Sequence, residues 1–93
     1  MFNLGLYSIY PEAIEYATDI FNKICEDYKL GYLWNEFDVE LRENGDCTEP
    51  TDSIIHALFI VLKDNLQDQG VNCDFYVNCD DSHFYINNEE VTL

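Results

Sequence analysis

The sequence predicts an α+β fold, in which two helices pack on one face of a small antiparallel sheet of three to four strands. Two stretches, residues 11–30 and 51–70, carry apolar residues at helical spacing. Residues 33–43 and the C-terminal third instead alternate apolar and polar residues, which is typical of half-buried strands. A chain of 93 residues is expected to form a single domain, 1–93.

Residues 51–70 are predicted to form the central helix. Pro50 precedes the capping candidates Thr51 and Asp52, and Gly70 stands where a left-handed C-terminal cap is expected. His56 within it is expected to be a satisfied core residue. The apolar run of about nine residues is far short of the roughly 20 that span a bilayer. Few polar residues interrupt its apolar positions, which indicates a buried helix: Ile54, Ile55, Leu58, Phe59, Val61, Leu62 and Leu66.

Residues 11–30 are predicted to form an amphipathic helix that begins with Pro11 in its first turn and is ended by Gly31. Residues 2–10 alternate only weakly and are compatible with a strand or an extended arm. The apolar stripe of the helix consists of Ile14, Ala17, Ile20, Phe21, Ile24, Cys25 and Tyr28. The opposite face carries Glu12, Glu15, Asp19, Glu26 and Asp27, with Lys23 and Lys29 as counter-charges.

Residues 33–43 are predicted to form a strand, because two sets of residues alternate along them. Phe37, Val39 and Leu41 are expected to face the core. Glu36, Asp38 and Glu40 would then form an acidic outer row that repeats about every 6.6 Å. The Asn44-Gly45 pair indicates a turn, and residues 46–50 are expected to form a loop into the central helix.

The C-terminal third is predicted to be an antiparallel meander. Cys73, Phe75 and Val77 alternate with polar positions, and a turn at 78–82 leads to Phe84 and Ile86 alternating with His83 and Tyr85. Asn87-Asn88 indicates a tight turn into a short last strand at 90–93.

The cysteines and histidines offer little chemistry. The N-terminus lacks the basic segment of a secretory signal, so a cytoplasmic protein is expected. No C-x-x-C pair occurs among Cys25, Cys47, Cys73 and Cys79, and in the cytoplasm these residues are expected to be free, buried thiols. The spacing of Cys73, Cys79 and His83 matches no zinc pattern, so neither a metal nor a cofactor is predicted.

Catalysis is not expected either. Paired catalytic carboxylates need environments that separate their pKa values, and nothing distinguishes one carboxylate here from the others. The sequence contains no G-x-S-x-G, P-loop or H-E-x-x-H motif. We therefore expect a protein that is not an enzyme.

The acidic excess is the main functional signal. Nineteen Asp and Glu oppose four Lys and Arg, which gives a net charge of -15. That charge matches 15 phosphates, or roughly 26 Å of duplex, against a span near 30 Å for a compact chain of this length. Direct binding to nucleic acid is disfavoured, and a cationic nucleic-acid-binding groove is the expected partner.

In size, charge and α+β layout the chain resembles the phage DNA-mimic inhibitors, in particular the Arn type of anti-restriction protein, which acts on the restriction enzyme McrBC. The resemblance implies an inhibitor of a restriction or CRISPR nuclease, located in the host cytoplasm, with a homodimer as a possible form. It involves the carboxylates expected to mimic phosphates, namely Glu12, Glu15, Asp19, Glu36, Asp38, Glu40, Asp64, Asp68, Asp80, Asp81, Glu89 and Glu90.

Two alternatives stay open. An immunity protein that neutralises a cationic nuclease toxin would use an aromatic anchor such as Tyr32, Trp34 or Tyr76, although packing within the fold is the more ordinary role of such residues. An acidic structural domain from a high-salt proteome would use its charge for solvation alone.

Overall fold

The computed structural model describes residues 11–44, 50–78 and 81–93 and confirms the α+β class. The described residues form three helices, where two were predicted: α1 (Pro11–Asp27), α2 (Trp34–Asn44) and α3 (Pro50–Asp68). The strands β1 (Cys73–Tyr76), β2 (His83–Ile86) and β3 (Glu89–Glu90) form an antiparallel sheet in the order β1-β2-β3.

Several predictions lie outside the described residues. They are the strand or arm at 2–10, the Asn44-Gly45 turn with the loop that follows it, and the states of Cys47, Cys79 and Asp80. Within the part of the chain that is described, no helix is both long enough and apolar enough to cross a membrane.

Helix α3 is the centre of the core, as predicted. Both α1 and α2 pack against it, and β1 contacts it as well. All seven of its predicted core residues are buried. The prediction for His56 is wrong, because this side chain is exposed and its ring meets Phe75 edge-on at 5.6 Å between centroids. His56 lies on an outward strip of α3 with Lys63 and Gln67, at positions i, i+7 and i+11.

The C-terminal ends of α1 and α3 are built alike. In α3, Gly70 has φ +79° and donates to Gln67 O at 2.9 Å, while the next amide, of Val71, donates to Leu66 O at 2.9 Å. This is a Schellman cap, and it confirms Gly70 as the capping residue.

In α1 the same cap is centred on Lys29, not on Gly31 as predicted. Lys29 has φ +53°, and its amide donates to Glu26 O at 3.3 Å. The amide of Leu30 donates to Cys25 O at 3.0 Å. Helix α1 therefore ends at Asp27, three residues earlier than the predicted boundary.

Helix α2 replaces the strand predicted at 33–43. Phe37 is fully buried, whereas Val39, which a strand would place beside it, is 49% exposed. Trp34 and Leu41 are half-buried against the core, and with Phe37 they have the i, i+3, i+7 spacing of a helix. The sequence of residues 33–43 fits both the strand period and the helix period, and packing of Trp34, Phe37 and Leu41 on the core selects the helix.

The aromatic ring of Trp34 anchors the start of α2. Its centroid lies 4.9 Å from that of Phe21 in α1 and 5.4 Å from that of Phe37. Trp34 thus joins α2 to α1 by ring contacts, which prefer such tilted and edge-on geometries.

The sheet follows the predicted meander. Cys73 pairs with Ile86 and Phe75 with Phe84, and the rings of Phe75 and Phe84 lie parallel at 6.2 Å between centroids. Both rings contact Phe59 of α3, at 5.9 and 5.3 Å, which fixes the sheet to the core helix.

The last hairpin has the predicted turn but a different final strand. Asn87 and Asn88 both have positive φ, +53° and +67°, as a type I′ turn requires. A two-residue turn places Glu89 opposite Ile86, so β3 is Glu89–Glu90 and not residues 90–93.

Candidate acidic interface

The predicted phosphate-mimicking carboxylates that the structure describes all reach the surface. Asp38 and Glu40 are partly exposed. Asp80 lies outside the described residues. The others are exposed: Glu12, Glu15, Asp19, Glu36, Asp64, Asp68, Asp81, Glu89 and Glu90.

One line of carboxylates runs along the outer face of α1. Glu12, Glu15, Asp19 and Glu26 follow i, i+3, i+7 and i+14 spacing and are all exposed; we call them the α1 acidic stripe. At ~1.5 Å per residue, the stripe places four negative charges over about 21 Å. Because α1 is anchored to the core along its opposite face, these charges have a fixed spacing. Glu26 was not among the predicted site residues, although the same periodicity identifies it.

Glu36, Asp38 and Glu40, which were predicted to form one acidic row on a strand, do not lie on one face of helix α2. Two residues along a helix are turned apart by about 200°, so Asp38 points away from Glu36 and Glu40. Asp38 instead pairs with Arg42, one turn later. Glu36 and Glu40 share their face with Glu43, a residue that the strand prediction did not select.

That face of α2 borders an open groove of about 340 Å³ against α3, which we call the α2–α3 groove. Its lining residues are Asn35, Glu36, Val39, Glu40, Glu43, Val61 and Asp64, so every charged residue in the lining is acidic.

An amide from α3 fixes one edge of this groove. Asn65 Nδ2 donates to Glu36 Oε2 at 2.9 Å and to the Val61 carbonyl oxygen at 2.8 Å. The bond to Glu36 connects α2 to α3 directly. Glu36 is therefore oriented by a neighbour, and Glu40, Glu43 and Asp64 complete the acidic rim.

Three of the four basic residues form ion pairs with other carboxylates. Among the residues that the structure describes, Lys23 pairs with Asp27 at 3.1 Å, Lys63 with Asp74 at 3.6 Å, and Arg42 with Asp38. None of these partners belongs to the α1 acidic stripe or to the α2–α3 groove. Within the described part of the chain, no carboxylate of those two surfaces forms an ion pair with a lysine or arginine, although Lys23 and Lys29 lie close in sequence to Asp19 and Glu26.

A third group of carboxylates, at the sheet, is compensated by a histidine. His83 Nδ1 lies 2.6 Å from Glu90 Oε2, and His83 Nε2 lies 2.7 Å from Asp81 Oδ1. The hydrogen bond to Glu90, together with the charges of both carboxylates, raises the pKa of His83 above its ordinary value. Asp81 and Glu90 are therefore less free to act as phosphate mimics than the carboxylates of the α1 acidic stripe.

The described thiols are placed for packing. Burial raises the pKa of Cys25 to about 11, which leaves it in the unreactive thiol form at neutral pH. Cys73 is buried, its thiol donates to the Lys63 carbonyl oxygen at 3.8 Å, and burial raises its pKa also. Within the described residues, no group of three or more His, Cys, Asp or Glu side chains is arranged to hold a metal ion.

No protein-family model, curated protein or solved structure matches this chain. The charges and geometry of the chain itself are therefore what supports a functional proposal.

Proposed function

We propose that this protein is a DNA-mimic inhibitor, which binds the basic DNA-binding surface of a bacterial restriction or CRISPR nuclease and blocks access of DNA. The observation that carries the proposal is the set of carboxylates on helices α1, α2 and α3 that form no ion pair among the described residues. A net charge of -15 lies on a molecule whose longest extent is 33 Å. The same number of phosphates occupies roughly 26 Å of duplex, so the two linear charge densities are alike.

The mechanism is competition without turnover. Carboxylates take the places of phosphates on the partner's Lys and Arg side chains, and no cofactor or chemical step is needed. The strong excess of negative surface charge would also speed the encounter with a cationic groove, most strongly at low salt. This is the mode of action that the resemblance to the Arn type of inhibitor implies.

The test is displacement of labelled duplex DNA from a panel of restriction, CRISPR and toxin nucleases at low and high salt. We expect one member to lose its DNA stoichiometrically, and high salt to weaken the displacement. The variant Glu15→Gln/Asp19→Asn, in the α1 acidic stripe, should require several-fold more protein for the same displacement.

The matched control is Asp27→Asn/Asp74→Asn, which removes the same charge from residues already paired with lysines. It should displace DNA nearly as well as the unmodified protein. If both variants lose activity equally, net charge alone drives binding and the ordered carboxylates have no special role. If no nuclease releases DNA, the proposal fails and the acidic surface serves solvation.

An immunity protein against a nuclease toxin is the second candidate, and exposed aromatic residues favour it. Tyr32 is 74% exposed and Tyr76 is 53% exposed, whereas Trp34 is half-buried and packs its ring against Phe21 and Phe37. Tight binding to a toxin nuclease without displacement of DNA, lost in Tyr32→Ala, would support this candidate over DNA mimicry.

A further inference from the structure

The α2–α3 groove differs from the α1 acidic stripe because its floor is apolar. Val39 is 49% exposed, although it lies in the middle of a helix whose opposite face is packed on the core. Across the groove lies Val61 of α3. The groove therefore combines apolar and acidic side chains in one lining.

The carboxylates stand around this floor at helical spacing. Glu36, Glu40 and Glu43 rise along α2 by about 6 Å and then about 4.5 Å. Asp64 faces them from α3, and Glu36 is fixed by Asn65 at 2.9 Å. The groove is therefore a short apolar trough with an acidic rim on both sides.

We propose that the α2–α3 groove receives an arginine side chain of the protein partner. The aliphatic stem of the arginine packs on Val39 and Val61, and the guanidinium group lies among the rim carboxylates of Glu40, Glu43 and Asp64. This inference rests on the proposed function, because arginine is a residue with which nucleic-acid-binding proteins contact phosphates.

Arginine fits the groove better than lysine for two physical reasons. Its guanidinium group presents five donors in a planar fork and can bind two carboxylates at once, whereas an ammonium acts as a compact point charge. It is also more weakly hydrated, so less hydration is lost when its stem covers an apolar floor. An open groove of about 340 Å³ has room for one such long side chain.

The test uses two short synthetic peptides, identical except that one carries a single arginine and the other a single lysine in an alanine-rich background. Each is titrated into isotope-labelled protein at physiological salt and followed by NMR. With the arginine peptide we expect saturable shifts of the Val39 methyl groups and of the Glu40 and Glu43 amides. The lysine peptide should bind several-fold more weakly.

Three variants separate the groove from general attraction. Val39→Ser removes the floor without removing charge, and Glu40→Gln/Glu43→Gln removes rim charge; each should weaken the arginine peptide at least several-fold. Glu15→Gln/Asp19→Asn removes equal charge from the α1 acidic stripe and should leave peptide affinity nearly unchanged. Equal losses in the two charge variants, shifts spread evenly over α1 and α2, or equal affinity for both peptides would overturn the inference.

The DNA-displacement assay distinguishes this inference from the proposed function. Displacement that is retained in Val39→Ser and in the rim variant would leave the proposed function intact and remove the groove from it. Arginine binding in the groove without displacement of DNA from any nuclease would support the groove as a site and contradict DNA mimicry.

Discussion

His83 is a residue whose protonation state follows from its contacts. A neutral imidazole has one donor and one acceptor nitrogen, while ionised carboxylates only accept. Both ring nitrogens lie within hydrogen-bonding distance of carboxylate oxygens, those of Glu90 and Asp81. The two bonds therefore exist together only when the ring is an imidazolium. The protonated ring of His83 therefore connects β2 to β3 through Glu90, and to the segment before β2 through Asp81.

We expect the pKa of His83, measured by NMR titration, to lie above its ordinary value of 6.5. Because the folded-state pKa is raised, the stability contributed by His83 is fully present below pH 6.5 and is lost as the pH rises through the folded-state pKa. The urea midpoint should therefore fall across that range.

Glu90→Gln removes the strongest partner and should return the pKa of His83 towards its ordinary value, which weakens the pH dependence. Glu89→Gln, at the neighbouring exposed position, makes the same change in charge without touching the ring. Equal decreases of the His83 pKa in the two variants would show that general charge, and not the hydrogen bond, sets the shift.

At the scale of the element, the exposure of Val39 distinguishes a helix from a strand at α2. In a strand, Phe37 and Val39 would both face the core, while in the helix only Phe37 does. Phe37→Ala should destabilise the protein by about 3–5 kcal/mol, as expected for a buried phenylalanine. Val39→Ala should change stability by less than about 1 kcal/mol, since alanine also has the better helix propensity.

Urea unfolding of both variants measures the difference directly. A loss of several kcal/mol in Val39→Ala would contradict the helix and favour the strand. A small loss in Phe37→Ala would mean that α2 is not anchored to the core by this residue.

The same element shows what could be predicted from the sequence and what could not. Buried α3, amphipathic α1 and the meander follow from strong periodic patterns and were predicted. Residues 33–43 fit two periods at once, and the choice depends on contacts of Trp34 with Phe21 that no local pattern contains. Likewise, the C-terminal cap of α1 is at Lys29, which has a positive φ. The sequence favoured Gly31 instead, because glycine adopts positive φ more readily than lysine.

The candidate site divides in the same way. The α1 acidic stripe lies on one helix, so its spacing can be read from the sequence. The α2–α3 groove joins Glu43 to Asp64 across two helices, and their meeting depends on how α2 packs on α3. The sequence therefore predicted an acidic surface, but not the groove within it.

At the scale of the whole molecule, the net charge of -15 lowers the stability of the folded state. Like charges on a molecule with a radius of gyration of 12.2 Å repel one another in the compact state more than in the unfolded chain. The Debye length is about 30 Å at 0.01 M salt and about 3 Å at 1 M. Since the longest extent is 33 Å, low salt allows charges across the whole molecule to interact.

We therefore expect sodium chloride to raise the urea midpoint of the free protein and, in the same range, to weaken its complex with a cationic partner. The opposite signs arise because screening removes repulsion within one molecule and attraction between two. Neutralising the α1 acidic stripe, by Glu to Gln and Asp to Asn changes, should reduce both salt dependences together. If salt stabilised the variant as much as the unmodified protein, the stabilisation would come from general salt effects on burial and not from relief of charge repulsion.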